Sequence, residues 1–350
     1  MDRPGLTRIE PLFFSRIWGS RSLAPLFPEK TALAEPIGEA WLTARECRIG
    51  SGAFAGMTLQ QAWQRMGASW RGSRHAADAE FPLLLKFIFP ADKLSIQVHP
   101  DDAYVARHEA AAGGRGKTEM WHVVSADPGA AVLIGLRKAA TRDIFIRAAA
   151  DHKLEELFER WPVRPGDSFF LPAGTPHTIG PGMILCEVQQ YSDVTYRVYD
   201  YGRVDAAGKP RELHLEKALD VIRFDSDAGG RTKPVDLSTP DMKRTLLAAC
   251  HYFAAERWDA DRPAAWTSEG ESFQIAVVLA GTGTLEDGDS RHPYKSGDTW
   301  FVPAGIARGL ILPGSPTSIL VAYVPDMAAL RKTLSVAGVS PTAREGILFE

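Results

Sequence analysis

Cysteine is scarce in this chain of 350 residues: there are three, Cys47, Cys186 and Cys250, and no two stand in a Cys-x-x-Cys pair. An odd count without that spacing argues against a disulfide framework and against a thiolate metal site. Excess charge of one sign is also lacking. Forty Lys and Arg against 43 Asp and Glu leave a formal net charge of −3, which gives no reason to expect nucleic acid or an anionic membrane as partner. No apolar run approaches the ~20 residues of a membrane-spanning helix. The start, Met1-Asp2-Arg3-Pro4-Gly5, shows no basic segment followed by an apolar one, so no signal peptide is expected. The expectation is a reduced, soluble, cytoplasmic protein. Its length suggests two domains, with room for a small third. A hydrophobic content of 45% is ordinary for a globular chain.

What is present is organised around Leu94-Ser95-Ile96-Gln97-Val98-His99-Pro100-Asp101-Asp102. In a strand, alternate side chains share a face, so Gln97 and His99 point one way and Ile96 and Val98 the other. Pro100 ends the strand, and Asp101 can cap a helix over 103–112. A lone Gln-x-His face is usually turned to water. That reading changes if other ligand-type residues reach the same face.

The flanking sequence supplies context. Residues 1–56 read as loops and short strands. Thr58 to Gly67 reads as a helix, with Thr58 and Gln61 forming a capping box and Gly67 stopping it. Residues 68–80 read as an exposed linker. Phe81-Pro82-Leu83-Leu84-Leu85-Lys86-Phe87-Ile88-Phe89 reads as a buried strand. Within it, Lys86 either snorkels from the strand end or faces an interior site. Gly116-Lys117-Thr118 ends like a P-loop, but Ala111 stands where the first glycine belongs. Helix precedes it and strand follows, the reverse of that motif's setting. In that strand Glu119, Trp121 and Val123 share one face and His122 lies on the other, so Glu119 is a candidate inward carboxylate.

Two segments repeat one pattern. The first runs Gly166-Asp167, Ser168-Phe169-Phe170-Leu171, Pro172-Ala173-Gly174-Thr175-Pro176-His177. The second runs Gly297-Asp298, Thr299-Trp300-Phe301-Val302, Pro303-Ala304-Gly305-Ile306-Ala307-Arg308. Self-similarity of this kind implies two copies of one unit. Short strands between Gly-Asp and Pro-x-Gly turns suggest β-barrels or jelly rolls. The copies diverge at the last position. His177 can ligate a metal, whereas the guanidinium of Arg308 stays protonated and cannot. The second copy begins near Thr245, with Phe273–Leu279 as a strand. Residues 202–243, with a helix at 212–222, mark the boundary. The expected architecture is mainly β: a first module over 1–230 with flanking helices, and a metal-free second module over 231–350. Histidines 75, 108, 152, 214, 251 and 292 are scattered, are expected to lack pairing, and take no assigned role.

Pro-x-Gly-x-x-His after Gly-Asp resembles the second box of the cupin fold. Gln97-Val98-His99-Pro100, Lys117-Thr118-Glu119, Pro172–His177 and Ser192-Asp193-Val194-Thr195-Tyr196-Arg197 together resemble type I mannose-6-phosphate isomerase, the short bacterial branch, over roughly residues 10–325. Four motifs in order make the resemblance specific. It implies one zinc ion per chain on Gln97, His99, Glu119 and His177, and interconversion of mannose 6-phosphate and fructose 6-phosphate through a cis-enediolate. It also implies a catalytic Arg197, a phosphate-binding Arg203 and Ser95, and pocket lysines Lys86 and Lys117, the latter as an acid in ring opening. Mixed N/O ligation without thiolate suits a catalytic zinc. The proton-shuttling base stays open among His99, Glu187 and Asp193. A long helical insertion between Glu119 and His177 is absent, which leaves the pocket lid and sugar selectivity open. A cupin oxygenase and a non-catalytic sugar-binding cupin are the other classes; the former usually has more histidines, the latter needs fewer cations. Monomer and homodimer both stay open.

Overall fold

A computed structural model of the chain describes residues 4–349 except 76–77, 110–113, 205–206, 225–228, 268–269, 289 and 307. Two similar β-sandwiches stand side by side. In the first, a seven-stranded sheet runs in the order Gly230–Arg231, Ser168–Leu171, Glu119–Ala126, Met183–Gln190, Leu83–Ile88, Ile37–Trp41, Leu12–Ser20. It faces a five-stranded sheet, ordered Tyr196–Tyr199, Ile96–Val98, His177–Ile179, Ala131–Leu136, Phe158–Pro162. In the second, a seven-stranded sheet with Thr299–Val302, Gln274–Ala280 and Thr317–Tyr323 near its centre faces a four-stranded one. The described pairings are antiparallel apart from one isolated bridge. The fold is mainly β with two jelly-roll modules, and the repeated segments occupy matching places in both.

One edge strand of the second module comes from the start of the chain: Thr7–Ile9 pairs with Thr299–Phe301 in the second module's sheet. Alternation explains how the large sheets pack. From the first sheet, Leu83, Leu85, Phe87, Met120, Phe170, Cys186 and Val188 turn toward the second module and join Leu247, Phe253, Ile275, Phe301 and Leu320 in one core. Residues on the opposite face, among them Trp121, Val123, Phe169 and Leu185, fill the first sandwich. So 81–89 is apolar apart from Lys86 because both of its faces are covered; every residue of Leu83–Ile88 is buried.

The helix Leu59–Arg65 has the expected capping box between Thr58 and Gln61, and Asp101 caps Asp102–His108 by accepting from the Tyr104 amide. The last part of the expected 103–112 helix lies outside the described residues. The expected helix at 212–222 is seen as Leu215–Val221. Residues 68–80 are not the exposed linker that their composition suggests. Ala68–Arg71 is a short helix with Trp70 and Arg71 buried, and the segment docks onto the second module. Phe273 N donates to Arg71 O, Ala304 N to Trp70 O and Gly305 N to Ser69 O. Nor is His75 unpaired: it is buried, with Nδ1 2.7 Å from Asp78 Oδ2 and Nε2 3.0 Å from Ser272 Oγ. Its ring packs on Trp63 and Phe273. His292 likewise meets Asp287 at 3.0 Å.

Candidate metal centre and active site

Three strands of one sheet and one of the other bring the site together. Gln97 is directly opposite His177 in the pairing of Ile96–Val98 with His177–Ile179, and opposite Arg197 in the pairing with Tyr196–Tyr199. Paired residues share a face, so these three side chains project the same way. Glu119 enters from the facing sheet at the start of Glu119–Ala126, and His99 follows Val98. His99, Glu119 and His177 are all buried, and their ligand atoms lie within 4.8 Å of one another.

The donor set is primed for a cation. His177 Nδ1 lies 2.9 Å from Thr175 O, and His99 Nδ1 lies 2.9 Å from Val194 O. A carbonyl can only accept, so each Nδ1 carries the proton and each Nε2 presents a lone pair to the site. The Glu119 carboxylate is 3.3 Å from His177 Nε2 and 3.6 Å from His99 Nε2. Neither Glu119 oxygen accepts a well-aligned hydrogen bond, although Lys117 Nζ is 2.9 Å from one of them. Lone pairs facing a buried carboxylate repel it unless a cation lies among them. Tetrahedral bonds of about 2.0–2.2 Å separate donor atoms by roughly 3.3–3.6 Å, which suits a zinc site. The Gln97 amide is 3.3 Å from His177 Nε2; its oxygen reaches the same point by turning the amide over. The residues present therefore fit a divalent metal.

Burial pushes His99 well below its ordinary value, helped by Lys117 and His177, and brings His177 down to about 4. Both imidazoles are neutral at pH 7, the state that ligates. Lys117 is the reverse case. Burial alone would lower it, but Glu119 and Glu187 outweigh burial and keep the ammonium protonated. Its Nζ lies 3.0 Å from His99 Nε2 and 3.9 Å from Glu187.

Further charged groups line one side of this cluster. Lys86 does not snorkel to the strand end. It points inward, 3.7 Å from Glu187, with its ammonium 4.7 Å from the centre of the Trp41 ring. Glu187 also accepts from Trp121 Nε1 at 3.2 Å. Burial raises the Glu187 carboxyl, and Lys117 and Lys86 only partly oppose that. Asp193, by contrast, is exposed. Arg197 is half-buried, with Nη1 donating to Glu212 O at 3.0 Å. Arg203 donates through Nη2 to Asp200 Oδ1 at 2.6 Å and also bonds Lys93 O. Ser95 is buried just ahead of the Gln97 strand.

Sequence reading missed five residues here: Arg16, Glu39, Trp41, Asp200 and Arg211. Glu39 accepts from Arg16 at 2.8 Å and from Trp41 Nε1 at 2.7 Å. Burial alone would raise Glu39; Lys86 and Arg16 outweigh it and hold the carboxyl low. Arg211 shares the Asp200 carboxylate with Arg203, Nε donating to Oδ2 at 2.7 Å. A surface groove of about 930 Å³ is elsewhere; Lys93, Arg137, Glu155 and Arg160 line it, and none of the four candidate ligands does.

Comparison with known proteins shows the family. Residues 6–120 match the model for the catalytic domain of phosphomannose isomerase type I, and residues 242–321 match that for the mannose-6-phosphate isomerase cupin domain. Mannose-6-phosphate isomerase ManA of Bacillus subtilis is 35% identical over 311 residues, 85% of this chain and 95% of that protein. The chain belongs to the type I mannose-6-phosphate isomerase family. A second family member, from Streptococcus mutans, is 33% identical over 84% of this chain and 92% of its own length. The crystal structure of the B. subtilis family member superposes with a TM-score of 0.83 at 30% identity, covering 91% of this chain and 99% of that one. A zinc-bound mannose 6-phosphate isomerase shares the fold at a TM-score of 0.72 and 17% identity, covering 91% of this chain and 99% of its own. No helix among the described residues is long and apolar enough to cross a membrane.

Proposed function

We propose that this chain interconverts mannose 6-phosphate and fructose 6-phosphate, with one zinc ion per chain held by Gln97, His99, Glu119 and His177. The observation that carries the reading is the arrangement of donors. Two imidazole lone pairs and a buried carboxylate face one another beside a protonated lysine. When bound, zinc supplies a positive charge that polarises the sugar's carbonyl and hydroxyl oxygens.

The chain's own groups divide the remaining work. Lys117, kept protonated by Glu119 and Glu187, gives a proton to the ring oxygen as the sugar opens. Glu187 is the favoured base among the three open at the sequence level. It is buried and its carboxyl is raised toward the range where a base can both take and return a proton, whereas Asp193 is exposed and His99 is committed to ligation. The proton removed from C2 returns to C1 on the same face, which a cis-enediolate permits. Arg197 faces the same side as Gln97 and His177 and offsets the negative charge that grows on the enediolate oxygens. Lys86 lines the pocket wall beside Trp41. Arg203 and Ser95 hold the phosphate; Arg203 and Arg211 share Asp200, and Asp92 lies 3.5 Å from Arg203.

We further propose 1–230 as the catalytic module and 231–350 as a metal-free companion, in a cytoplasmic enzyme. The test is a coupled assay on mannose 6-phosphate, with glucose 6-phosphate for comparison, before and after chelation. His177→Ala is expected to lose both bound zinc and turnover. Isomerisation retained by that variant would refute the site, and oxygen uptake in place of isomerisation would point to an oxygenase.

A further inference from the structure

Lys117 sits in a stretch, 114–118, that belongs to no helix or strand. Its ammonium nevertheless lies within 3.0 Å of both a candidate ligand nitrogen and a candidate ligand oxygen. A long, flexible side chain on an irregular segment needs its backbone fixed to be aimed so closely. Three consecutive amides provide that. Gly116 N donates to Asp102 Oδ1 at 2.8 Å, Lys117 N to Pro100 O at 3.0 Å, and Thr118 N to Gln190 Oε1 at 2.8 Å. Gly116 permits this approach because a Cβ there would stand 2.5 Å from Asp102 N. The two side-chain anchors are themselves joined, with Gln190 Nε2 3.3 Å from each Asp102 oxygen.

Asp102 has a third partner, and it comes from the other module. Tyr252 Oη donates to Asp102 Oδ2 at 2.6 Å. Tyr252 lies in the turn between the strands Lys243–Ala249 and Ala254–Ala260 of the second module's large sheet. A continuous path of hydrogen bonds therefore runs from the second module through Asp102 and Gly116 to Lys117.

We propose that Tyr252 is a positioning residue for Lys117, acting through Asp102, so that the second module helps to aim the acid of the first. This rests on the isomerase reading for its kinetic consequence but not for its structural one. A hydrogen bond to a charged acceptor is among the stronger kinds, and small displacements of a reacting group are costly in rate. The proposal differs from a bland surface contact in what it moves: turnover rather than binding, metal content or global stability.

The experiment compares zinc-loaded wild type, Tyr252→Phe, Asp102→Asn and the double variant. Tyr252→Phe is expected to lower kcat about tenfold with KM within about twofold, zinc content unchanged, and amide exchange at 116–118 faster. The double variant should be no slower than the slower single one, since both break one path. A Tyr252→Phe kcat and exchange pattern equal to wild type would overturn the proposal. So would losses that simply add in the double variant, or a loss that tracks zinc content. If wild type does not turn over mannose 6-phosphate, the isomerase reading has failed, and the exchange measurement alone then decides whether Tyr252 fixes the segment.

Discussion

Glu119→Gln separates a carboxylate kept for a metal from one kept for the fold. Without metal, Glu119 faces two imidazole lone pairs at 3.3 and 3.6 Å, and Lys117 is its one favourable neighbour at 2.9 Å. An amide of the same shape offers an N–H to those lone pairs and still presents an oxygen to the ammonium. Loss of the carboxylate–ammonium pair is thereby offset, and the metal-free variant should be within about 1 kcal/mol of metal-free wild type. The metal-loaded proteins should differ. A ligand at a hundred times its Kd stabilises by about 2.7 kcal/mol. With unfolding entropy of roughly 2.1 cal/mol/K per residue, a chain of this length has about 0.7 kcal/mol/K, so zinc should raise Tm by about 4 °C in wild type. In Glu119→Gln that rise should vanish, along with isomerase turnover. Scanning calorimetry with and without chelator, paired with metal analysis, reads both quantities. The reasoning fails if the variant keeps its zinc-dependent rise in Tm. It fails equally if the metal-free variant is destabilised by more than about 3 kcal/mol, the cost of breaking a buried structural pair.

Two further outcomes follow from the packing between modules. Phe273 is wholly buried, with ring centres 5.2 Å from Trp63 and 5.3 Å from Phe301; Phe273→Ala should cost about 3–5 kcal/mol by urea denaturation, and a loss below about 1 kcal/mol would mean the interface repacks freely. His75 bears on pH. Burial pushes it below its ordinary value despite Asp78, with Arg74 and Arg71 adding to the fall. The unfolded chain therefore takes up this proton at higher pH than the folded one. Its stabilising effect is whole above about pH 6.5 and is lost as pH drops through the lowered folded value. His75→Gln should flatten the fall in Tm on that acid side, and parallel Tm–pH curves for variant and wild type would contradict it.

The convergence of His99, Glu119 and His177 was legible because each sits in a local pattern: Gln-x-His in an alternating strand, Glu119 at a strand start, His177 after Pro-x-Gly. Alternation fixes the face, and the repeat fixes the fold around it. Arg16, Glu39 and Asp200 were not legible for an equally physical reason. Their roles rest on pairs such as Arg16–Glu39 and Arg211–Asp200, which follow from no helical or strand period. The 68–80 segment misled because its composition is that of a loop. Its buried members, Trp70, Arg71 and His75, are too few and too mixed in polarity to form a pattern.

Divergence of the two modules shows what turns a barrel into a site. Glu119 stands opposite Leu171, and Gln274 stands opposite Val302; Leu171 and Val302 are equivalent in the repeat, so Gln274 occupies the place of Glu119. Arg308, at the place of His177, is exposed. Trp258, Trp266 and Trp300 fill the second interior instead. Among the described residues the second module buries two carboxylates, Asp298 and Glu256, and the surroundings of Glu256 explain why it is no ligand. Arg244 donates to it at 2.8 and 3.0 Å, Trp258 Nε1 at 2.8 Å and Tyr323 Oη at 3.0 Å. A buried carboxylate so well supplied with donors has no capacity left for a cation and serves packing. Glu119 is far less well supplied, with two imidazole lone pairs at 3.3 and 3.6 Å and one ammonium, that of Lys117, at 2.9 Å. The same fold thus stabilises one acid completely and leaves the other dependent on a positive charge, and that difference in donors, more than the acid itself, distinguishes the interior of the first barrel from that of the second.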